Sequence, residues 1–421
     1  MIAGEHASKG ASDGTRDVCE MRVESWDLFC RVVDNYGDIG VAWRLARQLA
    51  SDARRSVRLF VDDLQAFARV EPRVDADADA DVDADADADA QCRRIDAIEV
   101  SHWRAGGWND VAPADVVIEL FGCGLPPKYL DAMARAGERG GDRAPVWIDL
   151  EYLSAETWVD EFHGLPSPHP TLPLVKHFFY PGFSAQTGGV LIETGLDEKR
   201  HAFVEDIDQV AAFWRRLYVP LPAANEKRVS LFAYANEAVS SLFESMASDP
   251  HARWSVVVPD GVSSREIEAF ANVRERGSLS IFAIPFIAQD DYDRLLWSCD
   301  VNFVRGEDSF VRAQWAARPF IWHIYPQSDD AHFKKLIAFE DRYEADLPQA
   351  VRDAQRALWL AWNAHRDLAT AGFAKAWARW CDALPELSAH AEVWRQSLAS
   401  HRGLVDSLAA FVAERRAALL K

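Results

Sequence analysis

Apolar residues recur along this chain in two registers. Short β-branched and aromatic runs end in acids, glycines or prolines, and helical stripes lie between several of them. The first runs are WDLFCRVV (26–33), SVRLFVDDL (56–64), IDAIEV (95–100), DVVIELFGCGLPP (115–127) and PVWIDLEYL (145–153). VAWRLARQLA (41–50) puts Val41, Leu45 and Leu49 on one helical stripe, and PKYLDAMARAG (127–137) is a second helical pattern. This βαβ rhythm predicts a largely parallel sheet. HGLPSPHPTLPLVKHFFYPGF (163–183) is rich in proline and reads as a long ordered loop.

A second series begins with RVSLFAYAN (228–236). It continues through WSVVVPDG (254–261), LSIFAIPFIAQ (279–289), DVNFVRGEDS (300–309) and PFIWHIYPQ (319–327). From about residue 347 the pattern is helical to the end. The chain is therefore read as α/β. Two Rossmann-like domains, 23–205 and 206–385, enclose a central cleft, and C-terminal helices over 386–421 pack back on the first domain. This is the GT-B arrangement of glycosyltransferases.

Composition sharpens this picture in places. At 421 residues and 49% hydrophobic content, the chain can bury large cores. No apolar run approaches the roughly 18 residues that a membrane helix needs, so no membrane association is expected. Residues 1–22 are polar, lack an apolar signal core and read as a disordered tail. Six scattered cysteines without a CxxC pair fit a reducing cytoplasm. The formal charge of −20 argues against a nucleic-acid partner. Eight aspartates alternate through residues 75–90. The alternation mimics a strand, but like charges repel and nothing apolar opposes them, so the tract reads as a disordered insertion. It also matches the DxD metal motif repeatedly, as any such low-complexity repeat would.

The richest chemistry lies in residues 300–327. A strand over 301–304 ends in RGEDS, and a helix over about 310–316 follows with Ser309 as its N-cap. Free N–H groups at a helix start favour an anion such as a diphosphate, and Arg305 can add a forked cationic contact. Glu307 suits sugar hydroxyls, while Asp308 offers its backbone N–H. Phe232 and Tyr234 share a strand face at i, i+2. Phe286 and Gln289 lie at another strand's C-terminal end, so aromatic rings and an amide can meet a flat base there. Asp34 and Asp38 occupy the βα turn RVVDNYGDIG (31–40), where paired carboxylates can act as base and orienting partner or simply cap a helix. Gly37 and Gly40 permit tight turns or close approach, but this is not the GxGxxG of dinucleotide binding. His163, His169 and Cys123 read as structural.

CRVVDNYGDIGVAWRLARQL, FYPGFSAQTGGVLIE (179–193), SLFAYANEAV and PFIAQDDYDRLLWSCDVNFVRGEDSFVRAQWAARPFIWHIYPQ together closely resemble one family, over about residues 24–415. It comprises the bacterial protein-arginine rhamnosyltransferases that modify elongation factor P. The family's Cys–Tyr–Glu–Asn run reads Ala233–Tyr234–Ala235–Asn236 here, removing any contact of a glutamate at 235. Its Ala–Gly–Lys–Pro run reads Ala316–Ala317–Arg318–Pro319, a neutral change if position 317 keeps a negative φ.

The resemblance implies inverting, metal-independent transfer of L-rhamnose from dTDP-β-L-rhamnose to one arginine of elongation factor P, by a cytoplasmic monomer without a cofactor. The first domain would bind the acceptor and the second the nucleotide sugar. Phe232, Phe286 and Gln289 would hold thymine. Tyr234, Arg305, Asp308 and Ser309 would hold the diphosphate, and Glu307 the ribose. Asp38, nearer the helix start, would be the base and Asp34 its orienting partner, with Glu307 counted among the catalytic residues as well. Two alternatives remain from residues alone: a GT-B enzyme acting on a small nucleotide sugar, or a non-catalytic nucleotide-sugar-binding protein.

Overall fold

The computed structural model describes residues 23–34, 36–74, 92–103, 111–138, 144–260, 275–327, 330–363 and 366–419. The expected tail 1–22 and the 75–90 tract lie outside the described residues. Among the described residues the first sheet holds β1 (Glu24–Cys30), β2 (Arg55–Val61), β3 (Cys92–Ile95), β4 (Ile98–His102), β5 (Val116–Leu120), β6 (Val146–Leu150), β7 (Pro166–Pro168) and β8 (Val175–Phe179). Its order is β3-β4-β2-β1-β5-β6-β8-β7, parallel except at the two edges, where β3–β4 and β7–β8 run antiparallel. The chain thus starts in the middle, builds toward one edge, and then crosses to the other side of β1. That reversal leaves a crevice beyond the C-terminal end of β1.

The second sheet repeats the device. It contains β9 (Glu226–Leu231), β10 (Arg253–Pro259), β11 (Glu275–Arg276), β12 (Leu279–Ile284), β13 (Val301–Arg305) and β14 (Phe320–His323), in the order β11-β12-β10-β9-β13-β14. Here the reversal lies between β9 and β13, and the segments after both strands open onto it.

Both sheets are covered on both faces, which explains their continuous apolar runs. Trp26, Leu28 and Cys30 of β1 enter one core, while Phe29 enters another on the opposite face. The second core is rich in tryptophan, with Trp254, Trp359, Trp362 and Trp380 nearly or fully buried. The segment 386–421 divides between the two units. Helix Leu384–Ala399 sends Leu387 and Leu398 into the second core, whereas helix Leu404–Leu419 sends Leu404, Leu408 and Val412 into the first. Among the described residues no helix is long and apolar enough to cross a membrane.

Three local readings need correction. The proline-rich 163–183 segment carries strands β7 and β8. Prolines survive in β7 because it is the sheet edge, where missing N–H groups face no neighbour. The first long helix is Gly37–Ala50, so Asp38 stands in its first turn rather than in the preceding loop. Ala317 takes φ 54°, the left-handed C-terminal cap of helix Asp308–Ala316. The family's glycine is absent from a position that favours glycine.

Candidate active site

The turn after β1 is built around Asp38. Its Oδ2 accepts the backbone N–H groups of Val33 and Asp34 at 2.8 and 2.9 Å, and its Oδ1 accepts the Tyr152 hydroxyl at 3.0 Å. The side chain is only 2% exposed, yet it forms part of a cavity wall. Asp34 reaches the other way. Its Oδ2 accepts the Tyr234 hydroxyl of the second lobe at 2.6 Å. Burial raises the Asp34 pKa, opposed by Tyr234 and Arg305 and reinforced by Asp38.

Glycines make that approach possible. A Cβ on Gly37 would lie 2.6 Å from Asp34 Oδ2, and one on Gly306, at φ 58°, would lie 2.5 Å from the same oxygen. The Gly306 turn is pinned by Trp322, whose indole N–H donates to the Gly306 carbonyl at 2.8 Å.

β13 delivers Arg305 to the crevice. Its Cζ lies 4.2 Å from the Phe232 ring centroid and 4.8 Å from that of Tyr234, and Nη1 donates to the Ala233 carbonyl at 3.3 Å. Among the described residues it makes no ion pair, which leaves cationic donors for an anion. β9 ends at Leu231, so Phe232 and Tyr234 belong to the following loop rather than to one strand face. Helix Asp308–Ala316 begins earlier than its sequence suggests, with Glu307 at the N-cap position and no side-chain cap. Ser309 is its second residue. Its Oγ accepts the Arg305 N–H at 2.9 Å and donates to the Arg305 carbonyl, which locks the turn.

The cleft between the lobes is lined by Asp34, Phe232, Phe286, Gln289, Arg305 and Ser309, among others. The Phe286 ring leans on Tyr36 of the first lobe, with centroids 4.8 Å apart. Gln289 opens helix Gln289–Ser298 and donates its amide to the Gly40 carbonyl at 2.9 Å. Among the described residues its buried Oε1 has no partner, which leaves an acceptor for a ligand N–H. The Asp308 carboxylate is turned to Arg44, whose Nε lies 2.8 Å away, so only its backbone N–H remains for a phosphate.

A second cavity of about 270 Å³ adjoins the same turn, with Asp34, Asp38, Tyr152, Glu307, Tyr325 and Lys335 on its walls. Asp34 therefore borders both spaces. Glu307, expected at a ribose, belongs to this second cavity and not to the Phe232 cleft. The positive φ of Gly306 turns it there, and its Oε2 accepts the Leu153 N–H at 3.0 Å. Burial pushes its pKa up to about 8; Lys335 and the Leu153 N–H oppose the rise, while Asp38 and Asp308 add to it.

Sequence reasoning missed a charge network that joins the lobes behind this site. Arg44 of the first helix donates to Glu193 at 2.8 Å and to Asp293 at 3.1 and 3.2 Å, besides Asp308. Arg312 donates to Asp293 twice at 2.8 Å, and to Glu193. Both arginines are 1% exposed. Arginines embedded in the apolar helices GVAWRLA and SFVRAQWA were the available signal.

The residues set aside are structural. His163 Nδ1 accepts the Tyr180 N–H at 3.1 Å, and His169 Nδ1 accepts the Leu172 N–H at 3.1 Å. The Cys123 thiol donates to the Phe29 carbonyl, and burial pushes its pKa up to about 12. Another cavity, of about 760 Å³, lies chiefly between residues 182–192 and 398–415, and none of the predicted site residues lines it.

A family profile described as elongation-factor P (EF-P) rhamnosyltransferase EarP matches residues 26–413. The chain is 44% identical over 398 residues to the protein-arginine rhamnosyltransferase of Pseudomonas aeruginosa, covering 93% of this chain and 99% of that relative. The Pseudomonas putida protein of the same name is 43% identical over 396 residues, covering 92% and 98%. Among solved structures, one concerned with EarP-mediated arginine glycosylation of translation elongation factor EF-P superposes with a TM-score of 0.61 at 30% identity, covering 93% of this chain and 99% of the other. Two Rossmann-like lobes around a central cleft, a whole-length profile match and these identities agree: this chain is a GT-B glycosyltransferase belonging to the EarP family of elongation-factor P rhamnosyltransferases.

Proposed function

We propose that this enzyme transfers L-rhamnose from dTDP-β-L-rhamnose to one arginine of elongation factor P, inverting the anomeric centre. The observation that carries the reading is Asp34. It borders both the Arg305 cleft and the Asp38 cavity, so one carboxylate stands where a donor and an acceptor would meet.

The donor side follows from the residues present. Phe232 and Phe286 offer apolar surfaces to thymine, and the unpartnered Gln289 Oε1 can accept its ring N–H. Arg305 and the N–H groups opening helix Asp308–Ala316 face the diphosphate. The acceptor side must cope with a poor nucleophile, because a guanidinium is cationic and its lone pairs are delocalised. Asp34 and Asp38 orient its planar fork and concentrate electron density on one nitrogen.

In a single displacement, that nitrogen forms a bond to C1 as the bond from C1 to the diphosphate oxygen breaks. The electron pair leaves with dTDP, steadied by Arg305 and the helix start. The proton from nitrogen passes to Asp38. Attack opposite the leaving group inverts C1. Glu307, on the Asp38 side of the Gly306 turn, lines the space where sugar and guanidinium meet rather than holding the ribose.

The test incubates the protein with dTDP-L-rhamnose and elongation factor P and seeks one deoxyhexose on a single arginine by mass spectrometry. Donor hydrolysis without protein modification, or binding without turnover, would refute the reading. Asp38→Asn should abolish transfer while donor binding persists; near-normal turnover in that variant would remove Asp38 as the base.

A further inference from the structure

We infer that Tyr152 is a positioning residue for the reaction, holding Asp38 in its reactive orientation through the hydrogen bond from its hydroxyl. The inference rests on the transfer proposed above. Asp38 Oδ2 is fully engaged by two backbone N–H groups of its own turn, so that oxygen secures the loop. Oδ1 is the oxygen left to meet a substrate, and Tyr152 is the side chain that donates to it, at 3.0 Å. A carboxylate fixed at both oxygens cannot rotate as the acceptor arrives, so its geometry is set before reaction.

The tyrosine is itself held. Its ring stacks on Phe121 with centroids 4.1 Å apart and planes within 8°. Phe121 is forced to φ 57°, a left-handed backbone that a bulky residue adopts only under constraint, and its N–H is tied to the Leu150 carbonyl at 2.7 Å. Lys335 lies 5.7 Å from the other ring's centroid. Burial and the carboxylates around it push the Tyr152 phenol upward, so it keeps its proton and acts as a donor.

The titratable groups around Asp38 come from every neighbouring segment. Cys30 ends β1, Asp34 shares the turn, Asp62 follows β2, Glu307 belongs to the Gly306 turn, and Lys335 sits behind Tyr152. Among them, Tyr152 alone gives Asp38 a side-chain hydrogen bond among the described residues.

The experiment compares wild type and Tyr152→Phe in steady-state rhamnosyl transfer to elongation factor P across pH, with donor affinity measured separately. The variant keeps the ring stack and loses only the hydroxyl. Loss of a hydrogen bond to a charged group should lower kcat about ten- to a hundredfold, and the acid limb of the kcat profile should move toward higher pH. Donor affinity should stay unchanged. An unmoved acid limb with normal kcat overturns the inference, and so does a loss confined to the donor KM. A wild type that transfers nothing to the arginine would instead overturn the proposed function. Should Tyr152→Phe lose its cooperative melt, Phe121→Leu frees the same ring without deleting its hydroxyl, and the same displacement of the acid limb is expected.

Discussion

Gly306→Ala tests whether the closeness of the two lobes is part of the chemistry. Position 306 has φ 58°, and a Cβ there would stand 2.5 Å from Asp34 Oδ2 and 2.9 Å from the Tyr234 hydroxyl. The backbone penalty for alanine in a left-handed conformation is about 1–2 kcal/mol. The first contact is roughly 1 Å shorter than ordinary van der Waals contact, so the carboxylate or the turn must move by about that much. A displacement of about 1 Å at a catalytic carboxylate can cost on the order of a hundredfold in rate. Stability should fall less dramatically, by about 2–8 °C in Tm for a lobe of this size. Initial rates of transfer and thermal unfolding measure the two effects separately. Gly124→Ala is the control, because Gly124 also has positive φ, at 75°, but nothing lies within 4 Å of its added Cβ. That variant should bear the backbone penalty and keep its rate. If Gly306→Ala retains kcat within about threefold of wild type, the contact between Asp34 and Tyr234 does not organise the site.

Arg44→Met should destabilise the protein by about 3–5 kcal/mol, because it strands Glu193, Asp293 and Asp308 around Arg312 alone; a thermal shift equivalent to less than about 1 kcal/mol would contradict this. Glu307 has its pKa raised from 4.5 to about 8, so the folded state holds a proton that the unfolded chain releases, and stability falls as pH rises from about 4.5 to 8. Glu340 and Glu344 push the same way, so the measurement for Glu307→Gln is a shallower slope of Tm against pH than wild type, with an unchanged slope as the opposing result. Ala317→Gly should stabilise by about 1 kcal/mol by relieving the φ of 54°, read as a rise in Tm; a fall would show that the Ala317 methyl contributes more packing than its backbone costs.

What the sequence revealed and what it hid follow from how each feature is encoded. Strands β1 and β13 were legible because a parallel strand covered on both faces is largely apolar, whereas of β9 only Val229 and Leu231 are apolar within the ladder and the run was recognised from there onward. Their ends were not: the alternation of Phe232 and Tyr234 continues past Leu231, and nothing local marks where ladder bonds stop. Phe232, Tyr234 and Arg305 stood out in the sequence because they follow or end β9 and β13, the strands that flank the reversal of the second sheet, whereas Phe286 and Gln289 follow β12, away from it. Which cavity Glu307 lines was not legible, because nothing in RGEDS shows that the Gly306 turn, at positive φ, puts it beside Asp38 rather than in the Phe232 cleft. The Arg44 network was hidden because its partners lie 149, 249 and 264 residues away.

That network bears on how the enzyme must work. The Arg305 cleft encloses only about 60 Å³, whereas sites for ligands of nucleotide size run to roughly 300–1,000 Å³. Tyr36 against Phe286 bridges the lobes at its wall, and Gly40 against Gln289 and Arg44 against Asp308 bridge them beside and behind it. The proposed dTDP-sugar donor would therefore have to part these contacts to enter. Phe286, Gln289 and the start of the Asp308 helix are then released to meet it, so entry exchanges contacts between the lobes for contacts with nucleotide. Asp34 and Tyr234 mark the place where reclosure brings a first-lobe carboxylate back against the second-lobe Arg305 turn. Reclosure would also exclude water, which the same carboxylate pair could otherwise orient against the activated sugar.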